Sequence, residues 1–379
     1  MMKNEKRLVM ALAVAMVLFL SLLIAGGGFQ KTIPEDQEDE HALEDDLIVV
    51  GFSQLGSESV WRATHTQSIQ EALSKENGFF LQYSNARQKQ ENQIKAIRGF
   101  ISQRVDYIVF SPLMEDGWET VLTEAKDAGI PVILVDRKIA GAEDLYTTFI
   151  GSDMAAEGRK AGEWLEEYEK KLNKKNKQSD DEPQDDGDLN IVILTGTLGS
   201  TSQRGRSSGF EEVASKHQNW KVIGLISGDF TVVKGKEVMA QMLNRFDDID
   251  VVVSQNDEMT FGAIEAVEEA GKSTGVHGDM IMISFDGSRD ALELVKSGKI
   301  SCDVECNPLQ GQLLADVINK LEAGEQVEKD QVLAVIEAMK METAITARTA
   351  GTVKTVRVKE GQPVKAKELL MTLEAAPQN

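Results

Sequence analysis

The chain has 379 residues, of which 41% are hydrophobic and 27% are charged, so it is long enough for two or three domains with substantial cores. Its formal net charge of −21 argues against a nucleic-acid-binding protein, because a polyanion would be repelled and no basic stripe compensates. Four histidines and two cysteines leave little material for a transition-metal site, and we predict no bound metal.

The N-terminal region has the pattern of an export signal. Three basic residues among the first seven precede a continuous apolar run from Leu8 to Ile24, which is followed by Ala25 and three glycines. The run is also long enough to remain uncleaved as a single membrane anchor. We therefore predict an exported protein, periplasmic or at the cell surface, with residues 1–29 as signal peptide or anchor. The acidic residues 30–46 are predicted to form a solvated linker.

Between residues 47 and 330, short β-branched runs alternate with amphipathic segments. The predicted strands are LIVVGFS, FFLQYSN, DYIVFSP and IPVILVDRK, then, after a polar tract at 167–188, NIVILTGT, KVIGLISGDF, IDVVVSQND and IMISFDGS. Segments such as QKQENQIKAIRGFISQ carry helical spacing between them. Continuous apolar strands separated by helices indicate parallel sheets that are covered on both faces. The sequence therefore predicts an α/β protein with two doubly wound, Rossmann-like lobes.

Polar side chains cluster where the predicted strands end. These residues are Ser53, Asp136, Arg137, Asn256, Asp257 and Asp286. Ligands of doubly wound sheets bind in the crevice beyond the carboxyl ends of the strands. We therefore expect a binding site at these ends.

The two cysteines lie close together, in the segment ISCDVECNP. Cys302 and Cys306 are four residues apart in a stretch that alternates like a strand. Their Cα atoms would then be roughly 13 Å apart, which is too far for a disulfide. We predict that both are structural thiols.

Six segments of the α/β region carry more specific patterns. They are VGFSQLGSESVWRATHTQSIQEA, NARQKQENQIKAIRGFISQRVDYIVFSP, GIPVILVDRK, SGDFTVVKGKEVM, SQNDEMTFGAIEA and SFDG. In this order they resemble the sugar-binding proteins of ABC transporters, of the ribose type and in particular the galactofuranose-binding subgroup. The resemblance covers about residues 47–329 and implies the type I periplasmic-binding-protein fold. In that fold a hinge of three crossing segments joins two lobes, here about 47–152 with 307–328, and about 153–306.

The resemblance implies a site that recognises a sugar and breaks no bond, so we predict neither enzymatic activity nor a cofactor for sugar binding. Sugar recognition needs forked donors, carboxylate acceptors and an aromatic platform. Asp136 and Arg137 match a family pair that grips ring hydroxyls, and Arg206 matches the sugar arginine of the second lobe, with Arg204 as the alternative. The predicted set is Ser57, Glu58, Trp61, Arg62, Asp136, Arg137, Arg206, Phe230, Asn256, Asp286 and Glu305.

Several of these positions also have a purely structural interpretation. Asp136 and Arg137 could pair only with each other, and Trp61 and Phe230 could be core residues. Glu305 lies where the chain should cross between the lobes, which leaves its contact with the ligand open. The neighbouring acids Asp257 and Glu258 are expected to cap the helix that follows them, not to touch sugar.

The C-terminal region contains an internal repeat. EAGEQVEKDQVLAVIE (322–337) aligns without gaps on KEGQPVKAKELLMTLE (359–374). With EAMKM between its halves, the repeat resembles biotinyl and lipoyl domains, in which the modified lysine lies on the connecting turn. The resemblance implies Lys340 as a biotin acceptor. Because the first half is incomplete, we predict a small, partial all-β biotinyl-like segment over residues 331–374.

One stretch, DQVLAVIEA, fits both resemblances. It could be the last strand of the sugar-binding domain or the strand that leads to Lys340. We interpret the chain as a fusion of two genes at a chance point of similarity just before it, GEQVEK. An exported chain does not meet the cytoplasmic ligase and ATP that biotinylation requires, so we expect Lys340 to remain unmodified.

These features predict an extracytoplasmic solute-binding protein of a carbohydrate ABC transporter. Its partners would be a monosaccharide, galactofuranose-like or related, and a membrane permease. The protein would be a monomer, and it would contact the membrane through its N-terminal segment if that segment stays uncleaved. The alternative is a biotin carboxyl carrier subunit of a carboxylase or decarboxylase that uses Lys340. A third possibility is a sugar-sensing repressor of the same fold, against which the export signal and the missing basic helix-turn-helix argue.

Overall fold

The computed structural model describes residues 47–176, 187–322, 326–327, 332–338, 341–346, 351–356 and 370–375. The chain divides into two compact units, Met1–Leu47 and Ile48–Asn379. The predicted signal or anchor, residues 1–29, and the predicted linker, residues 30–46, lie outside the described residues. Within the described ranges, no helix combines the length and the apolar character needed to cross a bilayer.

The first lobe is built on a five-stranded sheet. Its strands are β1 (Ile48–Gln54), β2 (Phe79–Asn85), β3 (Tyr107–Phe110), β4 (Val132–Val135) and β5 (Thr148–Ile150). They are parallel and ordered β2-β1-β3-β4-β5. The helices α1 (Val60–Ala72), α2 (Gln90–Gln103) and α3 (Glu119–Asp127) connect them in turn.

The second lobe repeats this plan. Its strands are β6 (Leu189–Thr195), β7 (Trp220–Ser227), β8 (Val251–Ser254), β9 (Ile281–Asp286) and β10 (Cys302–Glu305). They are parallel and ordered β10-β9-β8-β6-β7. Its helices are α4 (Met154–Asn176), α5 (Thr201–Ala214), α6 (Val232–Arg245), α7 (Asp257–Glu269) and α8 (Arg289–Ser297).

The central strands are buried along their whole length because helices cover both faces of each sheet. Every residue of β3, β4 and β8 is buried, as uninterrupted apolar runs predict for parallel strands. A late helix, α9 (Gly311–Glu322), returns to the first lobe, where its Leu314 and Ile318 pack with Val50 and Phe52 of β1. The predicted fold class, two doubly wound α/β lobes, is confirmed.

Two segments that cross between the lobes lie against each other. Residues 151–153 join β5 to α4, and residues 306–310 join β10 to α9. The Sγ of Cys306 lies 3.6 Å from the Oγ of Ser152, so the two crossings are in contact. Cys302 and Cys306 are free thiols, as predicted. Burial raises the pKa of Cys302 to about 12 and that of Cys306 well above its usual range.

The C-terminal region forms short antiparallel strands. They are β11 (Gln326–Val327), β12 (Val332–Ala338), β13 (Met341–Thr346), β14 (Gly351–Val356) and β15 (Met371–Ala375). The pair β12–β13 forms one sheet, and β11-β14-β15 forms another. Among the described strands β12 pairs only with β13 and not with a strand of either lobe. Of the two alternatives for DQVLAVIEA, this pairing fits the biotinyl-like strand and not the last strand of the sugar-binding domain. Lys340 itself lies outside the described residues.

Candidate functional site

A cavity with an empty volume of about 310 Å³, which includes space open to solvent, lies where the carboxyl ends of both sheets meet the crossing segments. Its lining residues are Glu58, Ser59, Trp61, Arg62, Asp136, Arg137, Met154, Ser202, Arg206, Phe230, Asn256, Asp286 and Cys306. Both lobes contribute charged side chains to it. The cavity is therefore a shared site and not a pocket of one lobe.

On the first-lobe side, the guanidinium of Arg62 lies between two carboxylates. Its NH1 donates to Oδ2 of Asp136 at 2.7 Å, and its Nε donates to Oε1 of Glu58 at 3.2 Å. Burial works against the charge of Arg62, but the two carboxylates outweigh it and raise the pKa of Arg62 above its usual value. Arg62 is thus held rigidly by charge-assisted hydrogen bonds.

Asp136 is fixed by its backbone as well as by its side chain. Its φ angle is 63°, in the left-handed region, where its N–H donates to the carbonyl of Ile150 at 2.7 Å and to Oε1 of Gln310 at 3.1 Å. Burial favours the neutral acid, but Arg62 and Arg137 reverse this preference and lower the pKa of Asp136 to about 2. Asp136 is therefore an ionised acceptor at any physiological pH.

Arg137 is buried but only partly hydrogen-bonded. Its NH1 donates to the carbonyl of Leu113 at 3.2 Å, and its guanidinium carbon lies 5.4 Å from the ring centre of Phe230 in the other lobe. Its Nε has no hydrogen-bond partner. Burial, with the nearby charge of Arg62, lowers the pKa of Arg137 to about 10, which still leaves it charged at neutral pH. A buried N–H donor without a partner is costly unless a ligand supplies the acceptor.

An aromatic stack supports this side of the cavity. The guanidinium of Arg62 lies 4.8 Å from the ring centre of Trp61, which stacks on His65 at 5.1 Å. Burial, with the charge of Arg62, lowers the pKa of His65 to about 4, so this imidazole is neutral. The Nε1 of Trp61 donates to the carbonyl of Cys306 at 2.5 Å. Trp61 thus belongs both to the cavity wall and to the contact with the crossing segment.

In the second lobe, Arg206 is hydrogen-bonded through all of its nitrogens. Nε donates to Oε2 of Glu157 at 2.9 Å, NH2 donates to Oδ1 of Asp286 at 3.0 Å, and NH1 donates to the carbonyl of Gln255. Burial opposes the charge, but the carboxylates of Glu157 and Asp286 raise the pKa of Arg206 above its usual value. Burial also raises the pKa of Asp286 well above its usual range, against the pull of Arg206.

Phe230 reaches the cavity because of two local features. Its φ angle is 61°, and a Cβ at Gly196 would lie 1.8 Å from Cζ of the Phe230 ring. Glycine at position 196 therefore leaves the space that the ring occupies. Asn256 fixes the same segment, since its Nδ2 donates to the carbonyl of Phe230 at 3.3 Å while its Oδ1 caps α7 at the N–H of Met259.

The structure brings together all but two of the residues predicted for the site. Ser57 and Glu305 are exposed and do not line the cavity. Arg204, the alternative to Arg206, also lies outside, where its NH1 contacts Oε2 of Glu115 at 2.6 Å. Asp257 and Glu258 do not line it either, and the cap of α7 is Asn256 and not these acids.

Sequence reasoning missed five residues of the site. Four of them line the cavity, namely Ser59, Met154, Ser202 and Cys306. The fifth, Glu157, accepts a hydrogen bond from Arg206, and the sequence contains a pattern that could have predicted it. Met154, Glu157, Ala161 and Leu165 share the buried face of α4. A carboxylate at helical spacing within an apolar face indicates a buried cationic partner.

The site presents groups that can bind a polar ligand. It presents guanidinium donors, carboxylate acceptors and the rings of Trp61 and Phe230 within one cavity. No cluster of potential metal ligands occurs among the residues that the structure describes. His65, the histidine beside the cavity, is bonded to two amide side chains, Gln54 and Gln310.

Comparison with known protein families gives two matches. Residues 50–326 match the periplasmic binding protein domain family. Residues 308–373 match a family described as biotin-requiring enzyme. The two matches overlap at 308–326, which spans α9 and the start of the C-terminal strands.

Individual relatives match the same two lobes. The galactofuranose-binding protein of Escherichia coli (strain K12) is 39% identical, over 72% of this chain and 81% of its own. The arabinose-transporter binding protein of Shewanella sp. ANA-3, solved with α- and β-L-arabinofuranose, is 40% identical with a TM-score of 0.65, over 73% of this chain and 86% of its own. A Mycobacterium smegmatis protein solved with β-D-fucofuranose is 41% identical with a TM-score of 0.67, over 79% and 91%.

Proposed function

This chain belongs to the periplasmic binding protein family, and we propose that it is the extracytoplasmic solute-binding protein of a carbohydrate ABC transporter. It binds a monosaccharide between its lobes and delivers it to a membrane permease, without chemical conversion. The ligand that we propose is galactofuranose or a related furanose. The relatives solved with arabinofuranose and fucofuranose, at 40% and 41% identity, support this sugar class.

The observation that carries the proposal is the shared cavity with an unused donor. Arg137 is buried, its Nε lacks a hydrogen-bond partner, and the ring of Phe230 from the other lobe lies over its guanidinium. A sugar presents hydroxyl oxygens that accept such donors and ring faces that pack on aromatics. The ionised Asp136 beside Arg137 supplies an acceptor for the hydroxyl hydrogens.

We further propose the organisation that the sequence predicted. One lobe comprises about 47–152 and 307–328, and the other comprises about 153–306. The protein is exported, acts as a monomer in the periplasm or at the cell surface, and uses residues 1–29 as a signal or anchor. The eleven predicted contacts, including the exposed Ser57 and Glu305, remain proposals that ligand binding tests.

A ligand screen tests the function. Melting temperatures of the chain without residues 1–29 are measured against pentoses and hexoses, including methyl furanosides and methyl pyranosides. A bound sugar at about 100 times its Kd stabilises the folded protein by about 2.7 kcal/mol. We expect furanosides to give this shift, and a panel without any stabilising sugar would overturn the proposal.

A second function, biotin attachment at Lys340, has its own support. The biotin-requiring family matches 308–373, and Ala338 pairs with Met341 at the end of the β12–β13 ladder, on either side of residues 339–340. The family match implies that biotin would be attached to Lys340 through an amide bond and would carry carboxyl groups when bound. Avidin blotting of the chain expressed with and without residues 1–29 tests this; we expect no signal from the exported form.

A further inference from the structure

A carboxylate of the second lobe is hydrogen-bonded to the first helix of the other lobe. Oε1 of Glu258, on α7, accepts from the backbone N–H of Val60 at 2.6 Å, and Oε2 accepts from Nδ2 of Asn256 at 2.8 Å. Glu258 is only 6% exposed and does not line the cavity. This contact is therefore a partly buried interlobe bond whose acceptor lies outside the cavity.

The carboxylate of Glu258 accepts from a backbone N–H at the N-terminus of α1, where a negative charge is favoured. Val60 is the first residue of α1, and the N-cap Ser59 accepts from the N–H of Arg62 at 3.0 Å, which leaves the Val60 N–H without a partner inside the helix. A carboxylate at a helix N-terminus is stabilised by the helix dipole and by a charge-assisted bond. The helix that Glu258 holds is the one that carries Trp61 and Arg62 into the cavity.

Two other polar interlobe contacts near the cleft are exposed. Arg204 of the second lobe pairs with Glu115 of the first, and Thr201 exchanges hydrogen bonds with the backbone of Lys138. Exposed ion pairs contribute little and are screened by salt. The partly buried Glu258–Val60 bond is the interlobe contact that solvent screens least among these.

We propose that Glu258 is a positioning residue for closure, which latches the second lobe onto the start of α1 and thereby slows sugar release. The proposal rests on the proposed sugar-binding function, because release is the step that it controls. It assigns Glu258 an effect on ligand residence time without a ligand contact. Opening of the cleft must break the Glu258–Val60 bond before the sugar can leave.

The test removes each side of the bond separately. Glu258→Ala removes the acceptor. Val60→Pro removes the donor N–H and suits its position, since proline is favoured at the first residue of a helix and Ser59 is extended (φ −142°, ψ 159°). The Val60 side chain is 62% exposed, so little packing is lost. The matched control is Val232→Pro at the first residue of α6, behind the extended Thr231, because none of the described interlobe bonds uses that N–H.

The readout is the dissociation rate of a methyl furanoside that stabilises the wild type, measured by stopped-flow tryptophan fluorescence. At pH 8, where Glu258 is mostly ionised, we expect Glu258→Ala and Val60→Pro each to raise the rate by about ten- to a hundredfold, the range for a hydrogen bond to a charged group. The double variant should release no faster than the faster single variant. Glu258→Gln keeps an acceptor oxygen and should restore slow release, and Val232→Pro should release like the wild type.

The outcomes separate this proposal from the proposed function. If the wild type binds none of the sugars, the proposed function fails. If the wild type binds and Val60→Pro releases at the wild-type rate, the latch is wrong, even where Glu258→Ala releases faster, because Glu258 would then act only through Asn256 in its own lobe. Val60→Pro keeps the test decisive if Glu258→Ala fails to fold.

Discussion

Both lobes bring buried arginines to the same cavity, Arg62 and Arg137 from the first and Arg206 from the second, but the guanidiniums of Arg206 and Arg137 differ in their hydrogen bonding. Arg206 of the second lobe donates to two carboxylates and one backbone carbonyl. Arg137 of the first lobe donates to the carbonyl of Leu113, and its Nε has no partner. Accordingly, the pKa of Arg206 is raised, whereas burial and the charge of Arg62 lower the pKa of Arg137.

This difference distinguishes an arginine that stabilises the protein, Arg206, from an arginine that has a donor available for a ligand, Arg137. A guanidinium in which each nitrogen already donates a hydrogen bond stabilises its own lobe and orients the carboxylates around it, here Glu157 and Asp286. A guanidinium with an idle donor costs stability until a ligand supplies an acceptor. We therefore infer that Arg206 holds the carboxylates of the site in place in addition to its proposed sugar contact, whereas Arg137 keeps its Nε for the sugar.

The largest expected effect is a loss of stability when Arg206 is removed from its hydrogen bonds to Glu157 and Asp286. Arg206→Met leaves Glu157 and Asp286 buried without their cation, and we expect a loss of about 3–5 kcal/mol in the free energy of unfolding. Chemical denaturation of the sugar-free protein measures it. Arg159→Met, which removes a partly exposed arginine from Glu212 and Asp153, is the control and should cost about 1 kcal/mol or less. Equal losses in the free energy of unfolding of both variants would contradict the structural role that we assign to Arg206.

The second test concerns the unsaturated arginine. Arg137→Met should weaken sugar binding by about 1.5–3 kcal/mol, since the sugar loses a charged donor. The free energy of unfolding without sugar should stay within about 1 kcal/mol of wild type, because Asp136 keeps its bonds to Arg62 and Ser111. Calorimetric titration and chemical denaturation measure the two quantities. A variant as destabilised as Arg206→Met would show that Arg137 is structural after all.

The third test extends the comparison to a buried carboxylate at the interlobe contact. Burial, with the charges of Asp257 and Glu58, raises the pKa of Glu258 to about 7, against its hydrogen bond to Val60. A carboxyl whose pKa is higher in the closed state favours closure below its ordinary pKa, and that gain is lost as the pH rises through about 7.

We therefore expect the sugar Kd to rise between pH 5 and pH 8, by about tenfold for each unit by which closure raises the pKa of Glu258. Titrations at several pH values measure it. Glu258→Gln does not titrate and should flatten this dependence. An unchanged pH profile in that variant would assign the dependence to other acids, such as Asp286 and Asp303, whose pKa values are also raised.

The smallest effect is expected in the C-terminal strands. Lys340→Ala should leave the sugar Kd and the free energy of unfolding of the lobes within about 0.5 kcal/mol of wild type. The reason is that β12 pairs only with β13 among the described strands, and not with either five-stranded sheet. Loss of sugar binding in this variant would show that the biotinyl-like segment is part of the working site.

The fold was predictable because short segments of the sequence carry the strand and helix patterns of each lobe. The apolar runs that form β3, β4 and β8 are too short and too uniformly apolar for surface helices. Polar residues at strand ends, such as Asp136 after β4 and Asp286 at the end of β9, lie at one edge of each sheet. The partners of those ends were less predictable. Sequence gives no distance between Glu157 and Arg206, which are bonded across a helix pair, or between Glu258 and Val60, which lie in different lobes.

The central claim is that the cavity holds a sugar whose oxygen completes the hydrogen bonding of Arg137. A crystal structure with a methyl furanoside that stabilises the protein tests it most directly. We predict a sugar oxygen within about 2.7–3.2 Å of the Nε of Arg137, with Arg206 still bonded to Glu157 and Asp286. A sugar bound elsewhere, or one that leaves this Nε without an acceptor, would contradict the account.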